Sequence, residues 1–470
     1  LILAHRYLGI VLAPLFLLWF ASGIAMVYLR GMPELSAEQR LAHLPPLDAA
    51  AIRISPGAAG RVAGIGNHPG RLILTTVMGR PAYRIGAPPI TVFADTGERL
   101  EQVGQAAAVT IASRFLAMPE GQIHHRALLT DPDQWTLGHR RQLPLHKLVA
   151  SDPSNTHVYV SDRLGEVVNV TTARTRALAW ISAIPHWLYF TSLRVNDRVW
   201  RHVILWSAAI ATISALIGLM LAVIQSSVSY RGWLRWHYRA GVIFGVTTVT
   251  WVFSGWLSME PGFWARSGSD TPGAKIAATL AGGRLDLAAF RDIDATWPPI
   301  MRALDAREVE FVRVHGEPHV VIYSAGSVRQ ILNATSLTRT PAPLSQESLL
   351  ATFRATIPET PIAEATLIDR YDAYYYARDP LPLPVLRMKL NDAEHTWVYI
   401  DPMMSRVAGQ LTRRERVQRW LYHGLHSLDF PWLYDRRPLW DIVIVTLCLG
   451  GAALSAIGVV IGTKRVLRRQ

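Results

Sequence analysis

The sequence predicts a membrane protein: a four-helix transmembrane bundle from a tandem duplication, with two α+β domains outside the membrane. Three observations predict it. Four apolar runs are each about twenty residues long, enough to cross a bilayer as a helix. His5, Gly9, Trp19, Ser22 and Gly23 recur 232 positions later as His237, Gly241, Trp251, Ser254 and Gly255. A second set of matches runs at an offset of 240: Leu143-Pro144 with Leu383-Pro384, Val158-Tyr159 with Val398-Tyr399, and Arg174 and Arg176 with Arg414 and Arg416. It continues through Trp180, His186, Phe190, Trp200 and Gly218, which match Trp420, His426, Phe430, Trp440 and Gly458. The repeating unit is span, outer domain, amphipathic segment, span.

In chain order, residues 1–29 hold the first span, whose apolar run Tyr7 to Leu29 follows His5-Arg6. Residues 30–201 have the composition of a water-soluble domain and end in an amphipathic segment. The second span occupies 202–225, and the basic link SSVSYRGWLRWHYR fills 226–239. The third span is 240–259, the second soluble domain 260–438, the fourth span 439–463 and the tail 464–470.

Composition agrees. A chain of 470 residues is too long for one ordinary domain, and 50% hydrophobic is high for a soluble protein. The single cysteine, Cys448, lies in an apolar run, which excludes an intramolecular disulfide, a CxxC zinc site, a CxxCH haem attachment and a four-cysteine cluster. Any redox cofactor is therefore held without cysteine.

The basic charge orients the bundle. Lys and Arg near span ends collect on the cytoplasmic side. Arg6, Arg231, Arg235, Arg239, Lys464, Arg465, Arg468 and Arg469 all fall in three segments that share one side of a four-span topology, with no Asp or Glu among them. Both termini are thus expected in the cytoplasm and both soluble domains outside. Removing these eight from 48 leaves 40 basic against 35 acidic residues, so the net charge of +13 gives no support to nucleic-acid binding.

In the soluble domains, THVYVSDRLGEVVNVT and HTWVYIDPMMSRVAGQLT alternate apolar and polar residues across a turn, the pattern of hairpins with one buried face. ITVFADTGERLEQV repeats the pattern, and QAAAVTIASRFLAM after it reads as a helix.

The runs IPHWLYFTSLRVNDRVWRHVILW, RWHYRAGVIFGVTTVTWVFSGWLSMEP and LYHGLHSLDFPWLYDRRPLWDIVIV closely resemble the PepSY-associated transmembrane family of bacterial inner-membrane proteins. VYVSDRLGEVV and VYIDPMMSRVAG look like its PepSY modules, although the second lacks the usual TG in its turn. The resemblance covers nearly the whole chain. It implies a bacterial inner membrane and a periplasmic exterior. PepSY modules occur both in protease-associated proteins and in inner-membrane ferric-siderophore reductases that hold b-type haem in their helices.

The repeat sorts the sixteen histidines. His5 pairs with His237 and His186 with His426, whereas His202 aligns with Ile442 and His423 with Ala183. Neutral imidazole is a usual haem ligand, and a histidine within or at the edge of a membrane invites a functional reading. His5 and His237 are thus candidate ligands near the cytoplasmic side, and His186 and His426 near the outer side, giving two haem b sites. Gly9 and Gly241, one turn on from His5 and His237, would leave room for a flat porphyrin. His423 and His202 are substitute ligands. The segments ARTRALAWISAIPHWLYF and RRERVQRWLYHGLHSLDF read as amphipathic helices lying on the membrane. The bland reading stands beside this one, since a histidine next to arginine also sits in the headgroup region as a simple interface residue.

Other motifs are weaker. GIGNHPG at 64–70 has no strand before it, and Pro69 interrupts a following helix, so it is not read as a nucleotide loop. His124-His125 reads as a solvated loop pair or a periplasmic metal ligand pair, and DRYDAYYYARD as a strand or a stacking platform. Two functions remain. One is a haem b electron-transfer protein, fed by quinol or a separate reductase and passing electrons to a periplasmic acceptor such as a ferric siderophore. The other is a non-catalytic anchor or regulator whose PepSY-like domains bind a periplasmic protease or other partner. The expected surroundings are membrane lipid, and no catalytic residue is assigned.

Overall fold

The computed structural model describes residues 1–470 apart from 30, 266, 267, 269, 291, 326–328, 340–343, 377–380, 469 and 470. Arg469 of the basic tail and Ala377, Arg378 and Asp379 of the tyrosine-rich segment therefore lie outside the described residues. The chain divides into two compact units: 1–32, 174–266 and 413–470 form one, and 33–173 with 267–412 form the other.

The first unit contains four helices long and apolar enough to cross a membrane: Ile2–Tyr28, Asp197–Ile224, Gly232–Ser258 and Leu439–Leu467. The second and third begin earlier than the spans read from the sequence because their polar first turns are already helical. The Asn196 side chain accepts from the Val199 amide and starts the second helix at Asp197, five residues before 202. Small residues let the helices approach. An added Cβ at Gly450 or Gly451 of the fourth span would collide with the Phe244 or Phe20 ring, and Leu12, Phe16, Phe20, Trp251, Trp440, Ile444 and Cys448 form the buried core.

The second unit contains three antiparallel sheets. Their strands are β1 (Leu72–Val77), β2 (Arg80–Ile85), β3 (Ile90–Phe93), β4 (Ile123–Leu129), β5 (Leu145–Ala150), β6 (His157–Ser161), β7 (Val167–Thr171), β8 (Ala306–Val314), β9 (Glu317–Ser324), β10 (Arg329–Asn333), β11 (Ile362–Ile368), β12 (Val385–Leu390), β13 (Trp397–Asp401) and β14 (Arg406–Leu411). The hairpins expected from alternation are β6–β7 and β13–β14, and the expected helix is Gly104–Leu116. The four-stranded sheets β4-β5-β6-β7 and β11-β12-β13-β14 have the same order, one from each soluble segment. The first packs its apolar face on the helix Gly104–Leu116, and the second on the helices Pro272–Ala281 and Gln346–Thr356.

The sequence predicts two separate soluble domains, but the six-stranded sheet β10-β9-β8-β1-β2-β3 joins them. Its central pairing is β1 with β8, in the register Leu72↔Phe311 to Thr75↔Glu308. Leu72, Leu74, Tyr83 and Val92 from one segment share a core with Val309, Phe311, Val320 and Ile322 from the other. Neither three-stranded half has two closed edges alone, and pairing the two inner edges covers backbone groups that would otherwise be exposed. This join is invisible to a pattern analysis that treats each segment alone.

Candidate functional site

The four repeated histidines are brought together in pairs. His5, near the start of the first span, and His237, near the start of the third, have ring centroids 6.2 Å apart. His186 and His426 have ring centroids 6.0 Å apart. Both pairs lie in the membrane unit.

His186 and His426 are delivered by irregular helices, one broken and one carrying a π-helical turn, rather than by the regular surface helices that the sequence predicts. Ala173–Ile181 stops at Ser182, which has φ −119° and ψ −93°, and a short turn, Ala183–His186, follows. In the other half, Arg413–Arg419 passes into a π-helical turn at Trp420–Gly424 and a last turn at Leu425–Ser427. Two residues beyond each histidine, Leu188 and Leu428 adopt left-handed backbone, with φ of 48° and 50°. A branched apolar residue rarely adopts that conformation, and such outliers collect at functional sites. Both histidines are set against spans: His186 meets Ser22 and Gly23, and His426 meets Ser254 and Gly255.

The hydrogen-bond network assigns the tautomers. Ser22 Oγ donates to the Leu18 carbonyl at 2.6 Å, so at 3.2 Å from His186 Nδ1 it accepts. Ser254 Oγ likewise donates to the Trp251 carbonyl at 3.0 Å and accepts from His426 Nδ1, also at 3.0 Å. His5 Nδ1 donates to the Ser214 carbonyl at 3.1 Å. In these three rings the proton is on Nδ1 and Nε2 keeps its lone pair, the arrangement that a hydrogen bond on one nitrogen imposes on a metal-binding imidazole. At His237 the corresponding carbonyl is that of Leu454, the repeat partner of Ser214. His237 Nδ1 completes no hydrogen bond, so His237 is the least tightly oriented of the four.

Glycines complete the cradles. A Cβ at Gly218 would come 2.6 Å from His5 Cε1, whereas at Gly458 it would stand 3.9 Å from His237 Cε1. At Gly23 and Gly255 the distances to His186 and His426 Cε1 would be 3.6 and 3.7 Å. Gly9 and Gly241, expected to leave space, border open space: an added Cβ would meet nothing within 4 Å. The serines and the glycines at 218 and 458 carried a repeat signal without an assigned role. Their backbone and side-chain contacts with histidines more than 160 residues away supply it.

The substitute ligands are not brought in. His202 is exposed and bonds the Arg198 carbonyl of its own helix at 2.7 Å. His423 is also exposed, its ring against Tyr422 at 4.6 Å. The same Tyr422 ring lies 5.4 Å from His426, which is turned onto Ser254. His124-His125 is not a loop pair but part of β4. Among the described residues, no group of three or more His, Cys, Asp or Glu side chains is gathered to hold a metal ion.

The residues present fit haem b, because each pair sets two imidazoles, the usual nitrogen ligand of haem iron, about 6 Å apart from ring to ring, and these would hold the group between them. Trp251, 8% exposed and three residues before Ser254, carries an Nε1–H with no acceptor, an orphan that an oxygen of a bound group would satisfy. The two pairs are far apart. Ser22 lies 17 residues after His5, and Ser254 lies 17 after His237, or about 25 Å along a helix axis.

No protein of curated function matches the chain. A family model described as the PepSY-associated TM region matches residues 2–465, and the chain belongs to that family.

Proposed function

We propose that the protein is a haem b electron-transfer protein of the bacterial inner membrane that passes electrons across the bilayer to a periplasmic acceptor. The observation that carries this reading is the pairing of the four repeated histidines, with ring centroids 6.2 and 6.0 Å apart at two levels of one bundle. His5 and His237 would hold the haem near the cytoplasmic face, and His186 and His426 the one near the periplasmic face. Bound haem supplies one-electron chemistry. The chain's own residues orient three of the four imidazoles through Ser22, Ser254 and the Ser214 carbonyl, and keep the Nε2 of His186, His426 and His5 unprotonated for ligation. Two cofactors at two depths divide a hydrocarbon core of roughly 30 Å into shorter steps. The donor is a quinol or a separate reductase, and the acceptor is a ferric chelate such as a siderophore.

The tandem duplication is part of this proposal. It is supported by the identical order of the two four-stranded sheets and by the left-handed Leu188 and Leu428, 240 positions apart, two residues beyond His186 and His426. The orientation is supported by the basic inner segments and by the β1–β8 pairing, which requires both soluble segments on one side of the membrane. A phosphatase fused within residues 33–173 should be active outside the cytoplasm. Activity of that fusion only inside would reverse the orientation.

An optical spectrum tests the function. Protein purified after haem-replete expression should show a Soret band that shifts on reduction. A colourless preparation would sink the redox reading and favour a non-catalytic anchor that binds a protease or other partner through the soluble unit.

A further inference from the structure

The soluble unit contains a chain of three titratable side chains that the electron-transfer reading does not use. His125 on edge strand β4 places Nε2 3.0 Å from Nδ1 of His146 on β5. His146 Nε2 is 2.9 Å from Asp162 Oδ1, in the turn after β6. The same Asp162 oxygen accepts from the amides of Val103 and Gly104, both at 3.1 Å, at the start of the helix Gly104–Leu116. His146 is 3% exposed, and His125 is half-buried. The second soluble segment has no counterpart. The offset of 240 puts Leu386 at the position of His146 and Pro402 at that of Asp162, and strand pairing puts Ala365 at that of His125.

The direction of the protons follows from the end of the chain. Two backbone amides already donate to Asp162, and an ionised carboxylate only accepts, so His146 donates from Nε2. With no further proton, His146 Nδ1 is then an acceptor, and His125 donates to it from Nε2 and keeps a lone pair on Nδ1. One added proton fits without rearranging heavy atoms. It makes His146 an imidazolium between the Asp162 carboxylate and a His125 ring that now accepts through Nε2. A second proton does not fit, because it would set two imidazolium rings 5.2 Å apart, edge to face, with both nitrogens of the shared contact carrying hydrogen.

We propose that His125, His146 and Asp162 form a proton-binding relay that takes up one proton and excludes a second, and that fastens the start of the helix Gly104–Leu116 to the sheet through Asp162. Other charges facing the relay are few. The helix has Arg114 as its one charged residue. On β4, His124 is bonded to Ser151 and Arg126 sits at a bulge, and on β5 Lys147 is paired with Asp133. In the β6–β7 turn, Glu166 is paired with Arg84, leaving Arg163 beside Asp162 in sequence. Burial and the charge of His146 lower the proton affinity of His125. Burial works against the Asp162 carboxylate, but the hydrogen bonds from His146, Gly104 and Val103 hold its pKa below the ordinary value.

The test is a pH titration of the full chain in detergent, labelled with 13C at histidine Cε1, with His125→Gln and His146→Gln assigning the two resonances. The expected result is one shared titration step for the pair, with its partner's resonance moving as each ring protonates. Asp162→Asn keeps an acceptor for the two amides and removes the charge, and should lower the proton affinity of the pair about tenfold or more. The idea is overturned if the two rings each take a proton independently over the same pH range, or if Asp162→Asn shifts neither.

Discussion

Ser254 Oγ lies 3.0 Å from Nδ1 of His426, and its own proton is committed to the Trp251 carbonyl, so the serine holds the imidazole in one tautomer. Ser22 does the same for His186. Partners of this kind typically change metal affinity about 10–100-fold. Ser254→Ala and Ser22→Ala should each weaken haem binding at the outer site by about tenfold, measured by titrating haem into the apo-protein. Unchanged affinity in both would show that the ring orientation is held by other contacts.

The histidine pairs predict a stoichiometry. His5→Ala or His237→Ala should remove one haem and leave the outer one, while His186→Ala or His426→Ala should do the reverse. Pyridine haemochromogen assay on single mutants reads the content directly. His202→Ala and His423→Ala should leave two haems per chain. Full content in all four variants of the paired histidines would return them to the role of packing residues.

Gly218 and Gly458 are repeat partners with unequal tolerance. An added methyl at Gly218 would stand 2.6 Å from His5 Cε1, a distance that forces the ring to move, whereas at Gly458 it would press on Ala13 Cβ at 3.3 Å and stand 3.9 Å from His237 Cε1. Gly218→Ala should therefore perturb the inner haem spectrum more than Gly458→Ala. Equal effects would mean that the helix backbones shift to absorb either methyl.

Much of this was legible in the sequence. The four spans, the hairpins and the pairing of histidines follow from apolar length, alternation and the two offsets. The orienting groups were less so, because a serine at helical spacing reads the same whether it bonds its own turn or a distant imidazole. The π-helical turn at Trp420–Gly424 was also hidden: RRERVQRWLYHGLHSLDF has the periodicity of a regular amphipathic helix, and only tertiary contact reveals that His426 turns onto Ser254 while His423 stays exposed. The shared sheet was hidden because β1 and β8 belong to segments that the third span and its link separate.

Arg40 and Glu308 tie those two segments by an ion pair at 2.8 Å, although neither of these atoms makes an aligned hydrogen bond. Glu308 is 4% exposed. Arg40→Ala leaves it an unpaired buried charge and should destabilise the soluble unit by about 3 kcal/mol. Arg40→Met with Glu308→Leu should recover most of that. Thermal unfolding of the full chain checks both, and a double variant no better than Arg40→Ala would show that the pair does more than neutralise itself.

The Glu364 carboxyl is held down from 4.5 to about 2, first by the Lys389 hydrogen bond, against burial, and then by Arg387. Because the folded value lies below the ordinary one, this contribution is present above about pH 4.5 and fades as pH falls towards 2. Glu364→Gln should flatten the acid destabilisation of the soluble unit across that window, as followed by circular dichroism. An unchanged acid profile would show that water screens the pair.

Leu72 and Phe311 are paired across β1 and β8 although 239 residues separate them. During synthesis, β1 therefore waits with an open edge while two further spans are made and inserted. The sheet can close only when the second soluble segment has been made and lies in the same compartment. An unfinished edge is a template for wrong pairing, so the nascent first segment is the stage at which this protein is most exposed to aggregation and most in need of a holding chaperone. Truncation after the second span would leave that edge permanently open, so half of the chain is not half of the protein.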